Sequence, residues 1–157
     1  TYVFLDPNRI FSIEGLMNNL KLLNPKIRDS EIKNIAIKIN ESIIFLKTLI
    51  LKYKYVIALH NNTDNKFSIK SYIEKDSSKV YINVKEDADN FIITNCESTY
   101  SYFKSYNINA VFENGNNNDD DGSMIFFCTK NSIKYLNIEM EHGKSFEYSK
   151  IDLNKIL

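Results

Sequence analysis

Cysteine and histidine are both scarce in this chain, and each scarcity narrows the chemistry open to it. The 157 residues hold two cysteines, Cys96 and Cys128. Each lies near an apolar run and neither sits in a short metal-binding spacing, so they read as buried free thiols in preference to a disulfide. Charge of one sign is absent as well. Lysine plus arginine and aspartate plus glutamate number 20 each, so no global field draws the chain to nucleic acid or to an acidic membrane surface. Long apolar runs are missing too, because Lys47 and Lys52 interrupt the longest one well short of the roughly 20 residues that span a bilayer. The expectation is a soluble protein. No charged leader and apolar signal core precede residues 2–5, so any export signal is expected upstream. Because the chain opens on Thr1 inside a predicted strand, it is expected to be a fragment of a longer domain.

With 43% hydrophobic and 13% aromatic residues, the chain carries enough apolar surface for one substantial core, and residues 1–157 are read as a single domain. Residues 10–23 place Ile13, Leu16, Met17 and Leu20 at helical spacing, although Gly15 weakens the helix, and Asn24-Pro25 ends it. Asp29 or Ser30 caps a long helix to about Tyr53, with Ile32, Ile35, Ala36, Ile39, Ile43, Leu46 and Ile50 on one face. Residues 55–59 are apolar on both faces and read as a central strand. Residues 67–73 alternate like an exposed strand, and 80–84, 91–94 and 110–112 are further strands. Tyr102, Phe103 and Tyr106 mark a helix over residues 98–106. The Asn/Asp/Gly stretch 113–122 is a surface loop. A short helix to Cys128, a strand over 135–139 and a closing helix over 149–157 complete the reading. Helices alternating with short apolar strands predict an α/β fold with a mixed, mainly parallel sheet flanked by helices.

Three predicted strands end in polar clusters: Asn8-Arg9, His60-Asn61-Asn62, and Glu139 to His142. In α/β sheets ligands bind beyond the carboxyl ends of strands, so the clusters converge if their strands are parallel neighbours. Asn8 and Arg9 form a fork suited to a carboxylate, or a turn asparagine beside a surface arginine. His60 can ligate zinc, with Asn61 or Asn62 orienting it or the substrate. Glu139 stands in an otherwise apolar strand. Alternation puts Leu136, Ile138 and Met140 on one face and Tyr135, Asn137, Glu139 and Glu141 on the other. A carboxylate at such a rim serves as general base and then general acid, or pairs with a lysine. A self-contained alternative joins Glu141 and His142 to His60 as a metal triad, provided the backbone turns at Gly143.

The ordered set Asn8-Arg9, His60 and Glu139 resembles the second part of a zinc metallocarboxypeptidase, or of the related succinylglutamate desuccinylase and aspartoacylase group. The order and the intervals from Arg9 to His60 and from His60 to Glu139 are similar to those of the carboxypeptidases. So is the late run Gly122-Ser123, a short helix, Ser132 to Tyr135 and Asn137-Ile138-Glu139. The resemblance covers residues 2–143. It implies a carboxypeptidase-like fold and a zinc-dependent hydrolase of an amide bond beside a free carboxylate, in a peptide or an acylated amino acid. In it Asn8 and Arg9 hold the carboxylate, His60 binds zinc and Glu139 activates water. The family's His-x-x-Glu motif, which supplies two further zinc ligands, is absent. That implies either that an upstream portion carries it and this chain alone is inactive, or that the chain is a metal-free relative. The family's loop tyrosine is absent from 113–122 as well, which points to the broader amidohydrolase group, with that loop gating the cleft and Tyr72 as another source of a phenol. The competing class is a noncatalytic module that recognises peptide termini or carboxylated ligands through Arg9.

Overall fold

A computed structural model of the chain describes residues 2–62, 67–73, 78–114 and 120–141. The chain folds as two compact units, one formed by Thr1–Lys54 with Asn117–Ile133 and the other by Tyr55–Asn116 with Lys134–Leu157. The expected helix over 149–157 and residue His142 lie outside the described residues, as do residues 63–66, 74–77 and 115–119. No helix among the described residues is long and apolar enough to cross a membrane.

The first unit is helical. Helix α1 (Ile13–Leu23) starts where the Ser12 hydroxyl accepts the Gly15 N–H at 3.0 Å, an N-cap that satisfies one of the orphan donors of the first turn. Leu16 and Leu20 of α1 pack on Ile32 and Ala36 of α2 (Asp29–Ser42), as the helical spacing of both segments predicts. The long second helix divides at Ile43 into α2 and α3 (Ile44–Ile50). At that point the Ser42 hydroxyl bonds back to the carbonyls of Lys38 and Ile39, competing with the helix's own ladder.

Residues 2–5 form no strand, contrary to the sequence pattern. Their backbone is held by a side chain: Asn24 accepts the Phe4 N–H at 2.9 Å and donates to the Phe4 carbonyl at 2.8 Å. Asn8 and Arg9 follow in a single 3-10 turn, Pro7–Arg9, capped by Asp6. The unit is completed by α5 (Met124–Lys130), whose Phe127 ring meets Phe11 at 5.9 Å.

The second unit is built on a mixed five-stranded sheet, so the fold is α/β. Its strands are β1 (Tyr55–Asn62), β2 (Ser78–Tyr81), β3 (Phe91–Thr94), β4 (Ala110–Glu113) and β5 (Lys134–Glu141), in the order β1-β5-β3-β4-β2. The β1/β5 and β3/β4 pairs are parallel, β3/β5 and β2/β4 antiparallel, and the long β1/β5 ladder makes most paired positions parallel. Helix α4 (Glu97–Ser105) sends Tyr100 and Phe103 against Ile92, Ala110, Leu136, Ile138 and Met140, the apolar face that alternation along β5 predicts.

Two further strand expectations are corrected. Strand β1 stands at an edge of the sheet rather than in its centre, with Leu59 69% exposed. An apolar run shows how little a strand needs water, and it does not show how many neighbours the strand finds. Residues 69–72 form a 3-10 turn instead of an exposed strand, because burying both Ile69 and Tyr72 requires residues three apart to share a side. The Tyr72 ring lies 6.1 Å from that of Phe91.

Candidate functional site

Strands β1 and β5 are parallel neighbours, and their register sets His60 directly beside Glu139 near the carboxyl ends of both. Paired residues of parallel strands project to the same face. The His60 ring accordingly meets Glu139, with Nδ1 3.0 Å from Oε1. The imidazole is one-third exposed and the carboxylate is buried, with side-chain accessibilities of 35% and 6%. Two residues 79 positions apart in the chain therefore form one dyad.

Glu139 holds a second bond. Asn137, two residues earlier and hence on the same face of β5, donates its Nδ2 to Oε1 at 2.8 Å. Both contacts converge on that single oxygen, and neither engages Oε2. On the other side of β5 the antiparallel register places Phe91 opposite Glu139. Phe91 is fully buried and packs against Phe67 and Tyr72. Such an apolar flank strengthens the electrostatics of the dyad relative to water.

The bond between Nδ1 and Glu139 determines how His60 can work. With that nitrogen committed, metal ligation or proton exchange by the ring runs through Nε2, the arrangement by which an outer carboxylate orients a histidine ligand or a catalytic histidine. For zinc, His60 with Glu139 behind it fits one ligand place. Among the described residues, no group of three or more histidine, cysteine, aspartate or glutamate side chains could hold a metal ion. The described residues thus do not supply a zinc site of their own.

The remaining sequence candidates fall as follows. Asn61 is exposed and alternates to the face opposite His60, and Asn62 pairs in register with Glu141. The Glu141 N–H is held by Asn90 at 2.9 Å. Asn8 and Arg9 belong to the helical unit. Asn8 is exposed, and the Arg9 guanidinium pairs with Asp121 at 3.1 Å. Asp120, beside Asp121, accepts the Ser12 hydroxyl at 2.9 Å. Sequence reasoning passed over Asn137 as a partner of Glu139 and Phe91 as its wall. The i, i+2 spacing of Asn137 and Glu139 was the available signal for the first.

Both cysteines are free, as the sequence predicts, but only Cys128 is buried. Burial pushes its thiol up to about 12. Partial burial also pushes the Cys96 thiol up, yet hydrogen bonds from Ser98 and Thr99 and the Lys134 charge outweigh it and bring the value to about 7.

No family model matches the chain, and neither the curated proteins nor the solved structures contain a match to it.

Proposed function

We propose that the complete protein hydrolyses an amide bond beside a free carboxylate, in a peptide or an acylated amino acid, with His60 and Glu139 at the reacting centre and zinc as its metal. The observation that supports this reading is the 3.0 Å contact between His60 and Glu139. In it Glu139 fixes the imidazole so that Nε2 meets the ligand. The carboxylate also offers an oxygen, Oε2, outside its two hydrogen bonds for taking a proton from water.

A second reading, the noncatalytic module for carboxylated ligands, is favoured by one observation, the lack of a three-ligand metal group among the described residues. One set of measurements separates them. Zinc content and zinc affinity are determined for the wild type and His60→Ala, and hydrolysis of N-acyl amino acids and of dipeptides is followed for the wild type and Glu139→Gln. The hydrolase reading expects loss of zinc affinity with His60→Ala, and loss of turnover with retained ligand binding in Glu139→Gln. Ligand binding without turnover in the complete wild-type protein, at any zinc concentration, would overturn it in favour of the module.

A further inference from the structure

The two edges of the sheet are built differently. Strand β2, at one end, has four residues and carries Lys79, which is exposed and paired with Glu97. A short edge with a charge on it resists pairing with another strand. Strand β1, at the other end, runs for eight residues, and Tyr55–Asn62 include no lysine, arginine, aspartate, glutamate or proline. Its register with β5 advances one residue at a time, so no bulge bends it away either. Among the described residues β1 pairs with β5 alone, and none of its side chains joins the core that α4 forms on the sheet. Ile57 and Leu59 lie on that α4 face, in register with Leu136 and Ile138, and remain 36% and 69% exposed.

We infer that the outer edge of β1 is an interface for a second copy of this chain, the two β1 strands running antiparallel about a twofold axis so that the two sheets become one. Such an axis, normal to the sheet at Ala58, keeps each face with its like and sets Ile57 of each copy opposite Leu59 of the other, an apolar cross-strand pair made twice. The charges around β1 select the antiparallel sense. Lys54 precedes the strand and Lys134 stands in register with Tyr55, whereas Glu139 and Glu141 stand in register with His60 and Asn62. Antiparallel copies therefore place the basic end of each strand beside the acidic end of the other, and a parallel arrangement would place like beside like. A ladder of this length forms roughly seven hydrogen bonds, within the ~10 ± 5 of a specific interface. Pairing uses up the open edge of both copies, and the short, charged β2 edge stops further growth, so the assembly closes as a dimer. His60 and Glu139 alternate to the face opposite Ile57 and Leu59, which leaves the dyad outside the contact between those side chains.

The test is sedimentation equilibrium of the full chain over a concentration series, with amide hydrogen exchange of β1 measured by NMR at both ends of the series. The chain should show twice the mass of one copy at high concentration and dissociate on dilution, and the outward amides of β1 should lose their protection as it does. Leu59→Lys adds a charge to each side of the join at a position already exposed in one copy. It should weaken the dimer by about tenfold or more while the far-UV circular dichroism stays unchanged. A monomer at every concentration overturns the inference, and protected β1 amides in that monomer would show that another segment of the chain covers the edge. Growth beyond the dimer overturns it as well. A dimer that folded Leu59→Lys leaves intact, or in which the β1 amides of the wild type exchange alike at every dilution, has its interface elsewhere and overturns it too.

Discussion

A double-mutant cycle on His60 and Glu139 tests the dyad independently of any substrate. Glu139→Ala removes a buried carboxylate and strands two donors, Asn137 Nδ2 and His60 Nδ1. A buried polar group left without its partner costs about 1–3 kcal/mol, and His60 recovers part of its share from water, so the variant should lose about 2–4 kcal/mol. Glu139→Gln keeps an oxygen that accepts from both donors and loses only the charge, which should cost about 1 kcal/mol. His60→Ala leaves the carboxylate with one donor fewer, at about 1–2 kcal/mol. A hydrogen bond to a charged group contributes about 1.5–3 kcal/mol when dry. With the ring 35% exposed, solvent screening brings the expected coupling between His60 and Glu139 to about 1–2 kcal/mol. The assay is urea unfolding at one fixed pH, followed by far-UV circular dichroism and by tyrosine fluorescence, since the chain has ten tyrosines and no tryptophan. Additive single costs, with a coupling below about 0.5 kcal/mol, would refute the dyad as an energetic unit.

Two further predictions concern packing and the thiols. Gly15→Ala should destabilise the helical unit by about 1–3 kcal/mol, because a Cβ there overlaps the backbone of Asp121 and Gly122; helix propensity alone predicts a gain of about 1 kcal/mol, so the sign of the change in a denaturant melt decides. At pH 8 iodoacetamide should label Cys96 in the folded chain and spare Cys128 until unfolding, as their values of about 7 and about 12 imply, and equal labelling of the two under native conditions would contradict the placement of Cys128. The two thiols also act on stability in opposite senses. Cys96 is depressed from 9.0, so its contribution is present above pH 9 and lost as the pH falls through about 7, whereas Cys128 is raised, so the unfolded chain ionises first and stability falls as the pH rises from about 9 towards 12.

Gly15 shows how local and tertiary reasons can disagree about one residue. In the sequence it is a helix-weakening residue, and in the fold it is the point where α1 lies against the backbone of the 121–122 turn. Gly122 answers it with a φ of 79° and only 2.6 Å between its own would-be Cβ and the Arg9 carbonyl. Residues 2–5 and 69–72 misled for a related reason. Their apolar content was legible, but the partners that settled their backbone, Asn24 and Phe91, lie elsewhere in the chain.

Sequence by itself determined the α/β class, the two amphipathic helix faces packed through Leu16, Leu20, Ile32 and Ala36, and the alternation that puts Leu136, Ile138 and Met140 on the core face of β5. These rest on periods of 3.6 and 2, which are local properties of the backbone. It also singled out His60 and Glu139, because a polar residue in or just after an apolar strand is legible without knowing its neighbours. Tertiary structure alone decided that β1 and β5 are parallel partners, in the register that brings Nδ1 to Oε1, and that Asn137 completes the contact. Strand order and register depend on contacts between distant segments, and no local pattern encodes which strand a given strand will find.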